Sequence, residues 1–136
     1  MKYLSLCLLF MSSQACAGFY IVVNVNNAMN AISVEDVADV YLGRKKVLGS
    51  VYIDQVLDRT GEPRRRFFLT VTNMRESQVN AYWAKLKFSG RMRAPEMVEA
   101  ERELLNIIAN NPQAIGYMTE PPPEGAGVRV ALYIDE

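Results

Sequence analysis

The sequence has no histidine, and its two cysteines, Cys7 and Cys16, both lie at the very start. Without histidine the commonest general base and metal ligand at neutral pH is missing. Once the first residues are cut away, neither a disulfide nor a thiolate metal site can form. Basic and acidic residues balance, 15 against 15, so no global field draws the chain to nucleic acid or anionic lipid. No apolar run is long enough to cross a bilayer. No serine stands beside a plausible base, which leaves little from which to build a catalytic centre. The composition therefore argues against an enzyme, against a cofactor or metal, and against a nucleic-acid partner.

What is present begins with an export signal. Lys2 is a short positive region, residues 3–11 are apolar, and Ala15-Cys16-Ala17 is an A-x-A cleavage site. The polar Gln14 just before this site counts against lipidation of Cys16. Cleavage after Ala17 would leave residues 18–136, enough for one ordinary core, as a periplasmic protein with one more acid than base.

The rest of the chain reads as alternating strands and helices, without repeats or a second-domain linker. Phe19-Tyr20-Ile21-Val22-Val23-Asn24-Val25 is β-branched and apolar and suits a strand buried on both faces. Ser33 and Asp36 frame a capping box that opens a helix carrying Val34, Val37, Ala38 and Tyr41 on one face, with Gly43 as its stop. The triplet Arg44-Lys45-Lys46 follows in an exposed turn, either as solvated surface or as an anion contact. Residues 51–57 read as a second strand, and Pro63 fits the first turn of a helix running to about Val71. Val79, Tyr82, Trp83 and Leu86 stand at i, i+3, i+4 and i+7, a core-facing stripe of a further helix. Glu96-Met97-Val98 is either a short extended piece or the beginning of the helix that is firm over residues 100–109. Pro121-Pro122-Pro123 stiffens a loop, and residues 128–134 form the closing strand.

Two stretches invite a functional reading. In Asn110-Asn111-Pro112-Gln113-Ala114-Ile115-Gly116-Tyr117-Met118 a helix ends, turns and runs straight into a buried strand. Gly116 implies that another group closely approaches this backbone. The corner is either core packing or the lining of a ligand cleft, since strand ends in open α/β sheets often bind ligands. The second stretch is Arg59-Thr60-Gly61-Glu62-Pro63-Arg64. A helix start offers free N–H groups and partial positive charge, and Thr60, Gly61 and the guanidinium groups of Arg59 and Arg64 could receive an anion there. Glu62 puts a negative charge beside the same place.

Asp39-Val40-Tyr41-Leu42-Gly43-Arg44, then Tyr82-Trp83-Ala84-Lys85-Leu86-Lys87-Phe88-Ser89-Gly90, then Pro112-Gln113-Ala114-Ile115-Gly116-Tyr117 occur in that order. Together they resemble the motifs of small bacterial phosphate ABC-transporter substrate-binding-like proteins. Those proteins look like one lobe of the larger type 2 periplasmic phosphate-binding proteins, and the resemblance spans residues 20–133. It implies a single α/β lobe, a small mixed sheet flanked by helices. It also implies phosphate or a related small oxyanion as ligand, in the service of a transporter or sensor. In the full-size proteins a Ser-Gly-Thr turn at a helix start holds phosphate. Its counterpart here is Gly61-Glu62-Pro63, with Thr60 as the only nearby hydroxyl and one N–H lost to Pro63. The alternative is a periplasmic protein–protein interaction module that kept the lobe and lost the ligand. A homodimer would restore a two-sided cleft.

Overall fold

A computed structural model describes residues 17–90 and 92–136. The export signal expected over residues 1–17 lies outside the described residues except for Ala17. The domain expected from Gly18 onward is described throughout, Arg91 apart.

The first strand, β1 (Gly18–Asn24), is buried along nearly its whole length, as its β-branched run requires. Helix α1 (Val34–Tyr41) opens on the expected capping box. The Asp36 N–H donates to Ser33 Oγ, and the Ser33 N–H donates to Asp36 Oδ2. It closes at Leu42, followed by Gly43 in the left-handed region at φ 70°. Residues 51–57 are not one strand. They divide between a small hairpin, β2 (Val47–Leu48) with β3 (Val51–Tyr52), and a separate strand β4 (Gln55–Asp58). The hairpin turns at Gly49-Ser50, with Gly49 at φ 61°.

Helix α2 (Gly61–Thr72) begins earlier than its apolar face suggests and ends on Asn73 in the left-handed conformation. Helix α3 (Glu76–Lys87) opens at Arg75, whose N–H donates to the Gln78 side chain. Glu96–Met97 takes the extended option as strand β5, and helix α4 (Glu101–Ala109) follows. Strand β6 (Ala114–Met118) is wholly buried, and β7 (Val128–Asp135) closes the chain.

Five of these strands make one mixed sheet in the order β5-β4-β6-β1-β7. β4 runs parallel to β5 and β6, whereas β1 runs antiparallel to both β6 and β7. The alternation of side chains across a strand divides the core in two. Phe19, Ile21 and Val23 of β1, with Ile115 and Tyr117 of β6, meet Val37, Tyr41, Phe67, Phe68, Val79 and Trp83 from α1, α2 and α3. On the opposite face Val22, Ala114 and Met118 pack with Leu104 and Ile108 of α4. The result is a single α/β lobe with three helices on one face of the sheet and one on the other. At Gly116 α4 packs closely on the strand. A Cβ there would lie 3.0 Å from Ile108 Cδ1 and 3.1 Å from Leu104 Cδ1.

Candidate functional site

The carboxyl end of β4 delivers Asp58, which is only 1% exposed, into a nest of donors. Tyr117 Oη donates to Asp58 Oδ1 at 2.5 Å, and the Arg59 N–H donates to the same oxygen at 2.8 Å. Arg64 Nε donates to Asp58 Oδ2 at 3.0 Å. Phe67 stacks on the Tyr117 ring at 3.7 Å, and Tyr41 Oη donates to the Leu57 carbonyl, so aromatic packing fixes the acceptor end of the strand. Burial pushes the Asp58 carboxyl above its ordinary range, partly offset by the bonds from Tyr117, Arg59 and Arg64. Burial and the neighbouring Asp58 charge push the Tyr117 hydroxyl well up, which keeps it a proton donor to that carboxylate.

This arrangement decides where the four expected anion-site residues stand. Arg64 is 5% exposed and turned inward. Besides Asp58, its Nη2 donates to Asn80 Oδ1 at 3.0 Å, Nη1 lies 3.8 Å from Glu76 Oε2, and its guanidinium sits over the Phe68 ring. Arg59 reaches across to the β5–α4 connection, where Nε and Nη2 donate to the Val98 and Glu99 carbonyls, each at 3.3 Å. Thr60 occupies the cap position of α2 without making a side-chain capping bond. Gly61 has φ 68°, and no atom lies within 4 Å of where a Cβ would stand. Thr60 and Gly61 are thus brought together at an open helix start, while the two arginines are engaged with neighbouring protein groups. Glu62 stays on the surface, 3.5 Å from Arg65 Nη2, so its charge is partly drawn off.

Asp58 is the residue that sequence reasoning missed. Its signal was an acid directly after the apolar Val56-Leu57, six residues before an arginine in the first turn of a helix. Asp58 and Arg64, with Asn80, Trp83, Lys87 and Met97, line a small hollow of about 220 Å³. A larger hollow of about 750 Å³ opens at the other end of β4, lined among others by Lys45, Lys46, Tyr52, Asp54, Gln55, Arg93, Glu96 and Asn111. Its floor is already knitted together. Asn111 Nδ2 donates to Asp54 Oδ1 and Gln55 Oε1, and Gln55 Nε2 donates to Glu96 Oε2. In the corner at residues 110–118, β6 is core, and Asn111 borders this hollow at the amino end of the strands. Among the described residues no cluster of acids, histidines or cysteines is arranged to hold a metal ion.

No protein-family model and no curated protein matches the chain. Solved structures do. A protein described as a phosphate ABC transporter substrate-binding protein, from Clostridium perfringens and with bound phosphate, superposes with a TM-score of 0.63 at 15% identity. An ABC-type phosphate transport receptor from Vibrio cholerae does so with a TM-score of 0.63 at 17% identity. Each match covers 84% of this chain but only 44% and 45% of the other protein. The fold is thus a periplasmic-binding-protein-like α/β lobe, equivalent to less than half of those proteins.

Proposed function

We propose that the chain is a substrate-binding-like lobe that takes up phosphate or a related small oxyanion weakly at the start of α2, for a transport or sensing system. The observation that carries this reading is the open Thr60–Gly61 corner. The Thr60 hydroxyl makes no capping bond, the space over Gly61 is empty, and the corner lies at the carboxyl end of a parallel strand. Ligands of open α/β sheets favour that end, and helix N–H groups there attract anions. The shared fold with phosphate-binding proteins points the same way. In this reading Arg59, Thr60 and Gly61 touch the anion, and Arg64 neutralises Asp58 behind them. We further propose that residues 1–17 direct export and that the lobe works in the periplasm.

Pro63, Glu62 and the inward-turned Arg64 favour a second reading, in which the lobe is an interaction module for a periplasmic transporter or sensor partner. Titration calorimetry with phosphate, at low and moderate salt, separates the two. Weak binding on the order of millimolar, about 4 kcal/mol, is expected. It should tighten in Glu62→Gln and fade as salt rises. Absence of heat in both proteins at roughly tens of millimolar phosphate, an affinity worth under about 3 kcal/mol, leaves the interaction module. Submicromolar binding would place the ligand elsewhere.

A further inference from the structure

The stretch Tyr82-Trp83-Ala84-Lys85-Leu86-Lys87-Phe88-Ser89-Gly90 splits into two halves in the fold. Its first half is structural. Trp83 is buried, and Tyr82 Oη donates to the Leu42 carbonyl. Its second half is the last turn of α3 and the turn that closes it, where the Ser89 N–H donates to the Leu86 carbonyl. Phe88, the C-cap residue, is 94% exposed, far more than any other large apolar side chain among the described residues.

Lys85 and Lys87 are exposed in the last turn of α3, Arg93 is exposed on the connection that follows, where it borders the larger hollow with Asp54 and Glu96, and none of the three belongs to a salt bridge among the described residues. From Ser77 to Pro95 the sequence holds Lys85, Lys87, Arg91 and Arg93 and no acid, in a chain whose formal net charge is zero. Met97, 56% exposed, lines the same small hollow as Lys87, Ala94 and Pro95. Two lysines in a last helical turn are explained by the helix dipole. An aromatic ring held almost wholly in water beside them is not.

We propose that this tip docks on an anionic phospholipid surface, with Phe88 entering the boundary between headgroups and acyl chains and the lysines and Arg93 resting on lipid phosphates. Interfacial binding of this kind adds apolar insertion to attraction for anionic lipid. The shape favours a bilayer over a folded partner. Phe88 stands as a single exposed aromatic at the closing turn of α3, with Lys85 and Lys87 just before it and Arg93 five residues after it in the chain. A fluid surface accommodates such a layout, whereas a protein partner would have to supply a matching pocket. The small hollow beside Lys87 is also lined by Asp58 and Arg64, but Phe88 and the exposed cations include none of the residues proposed to touch phosphate, so this docking does not require phosphate to bind.

Co-sedimentation tests it. The chain purified from the producing cell is spun with vesicles of phosphatidylglycerol and phosphatidylcholine, and with phosphatidylcholine alone. Phe88→Ala and the pair Lys87→Gln with Arg93→Gln are run alongside, each checked by circular dichroism. Any contribution from the N-terminus is common to all three proteins, so differences between them belong to the tip. The expected result is binding to the anionic vesicles that weakens as salt rises. Phe88→Ala should lose roughly 10-fold in affinity, and each missing cation roughly 5-fold. Failure of the wild type to sediment, or equal sedimentation of all three proteins, overturns the proposal. So does retention on immobilised polyglutamate without vesicle binding, which would point to an acidic protein instead.

Discussion

Asp58 and Arg64 are a buried ion pair whose members depend on each other. Removing one partner of such a pair leaves an uncompensated charge in the interior. Arg64→Ala should therefore cost about 3–5 kcal/mol in urea unfolding, whereas an arginine waiting in solvent for a ligand would change stability by less than about 0.5 kcal/mol. Tyr117→Phe removes a hydroxyl that donates to Asp58 and accepts from the Arg59 N–H, and should cost about 1.5–3 kcal/mol. The pH dependence has a definite sign. Asp58 holds its proton more readily in the folded chain than in the unfolded one, so its contribution to stability falls as pH rises from 3.8 through its raised value. The same logic makes Arg64→Ala recover part of its loss on acidification, measurable by repeating the urea titration at two pH values. The sequence showed Thr60, Gly61 and Arg64 as one corner because they are neighbours in the chain. It could not show that Arg64 faces inward, because the groups that hold it come from Asp58 across a turn and from Asn80 on the next helix.

Helices were the most legible elements, because caps and periodicity are local. Ser33, Asp36 and Gly43 bound α1 as written in the sequence, and the Val79–Trp83 pair is buried. The Lys45 ammonium, bonded at 2.7 Å, and the Ser33 N–H hold the Asp36 carboxyl down at about 2. Its stabilising effect is present above pH 3.8 and is lost as pH falls towards 2. Since both side chains are solvated, the loss should stay under about 1 kcal/mol and should vanish in Asp36→Asn. Trp83 closes the end of α1. A Cβ on Gly43 would lie 2.8 Å from its Cη2. Trp83→Ala should cost about 3–5 kcal/mol. Trp83→Phe should cost clearly less, because the indole N–H is buried without a partner among the described residues. Strands were less legible. The run from Val51 to Leu57 alternates too little to reveal its break. The Gly49-Ser50 turn pairs two residues with two, a hairpin too short to leave a pattern.

At the scale of the whole molecule, the matched part of the chain corresponds to less than half of either solved protein. If the proposed anion sits between two copies of the chain, the share of two-chain mass in solution should rise with added phosphate. A mass of one chain, unchanged by phosphate, would leave the Thr60–Gly61 corner open to water and the affinity weak. Among the described residues no helix is long and apolar enough to cross a membrane. The position of β1 carries a further consequence, for the order of folding. Its residues pair with Ala114–Met118 on one side and Val128–Asp135 on the other, partners close to a hundred positions later in the chain. The centre of the sheet, β6 against β1, therefore cannot form until residues 114–118 have been made. Folding should be slow for the chain's size, on the order of milliseconds to seconds. A chain cut before Val128 should lose its cooperative transition altogether, because β1 would be left with an open edge. Under the export proposed above, that delay keeps β1 unpaired and the sheet open while about the first hundred residues are made.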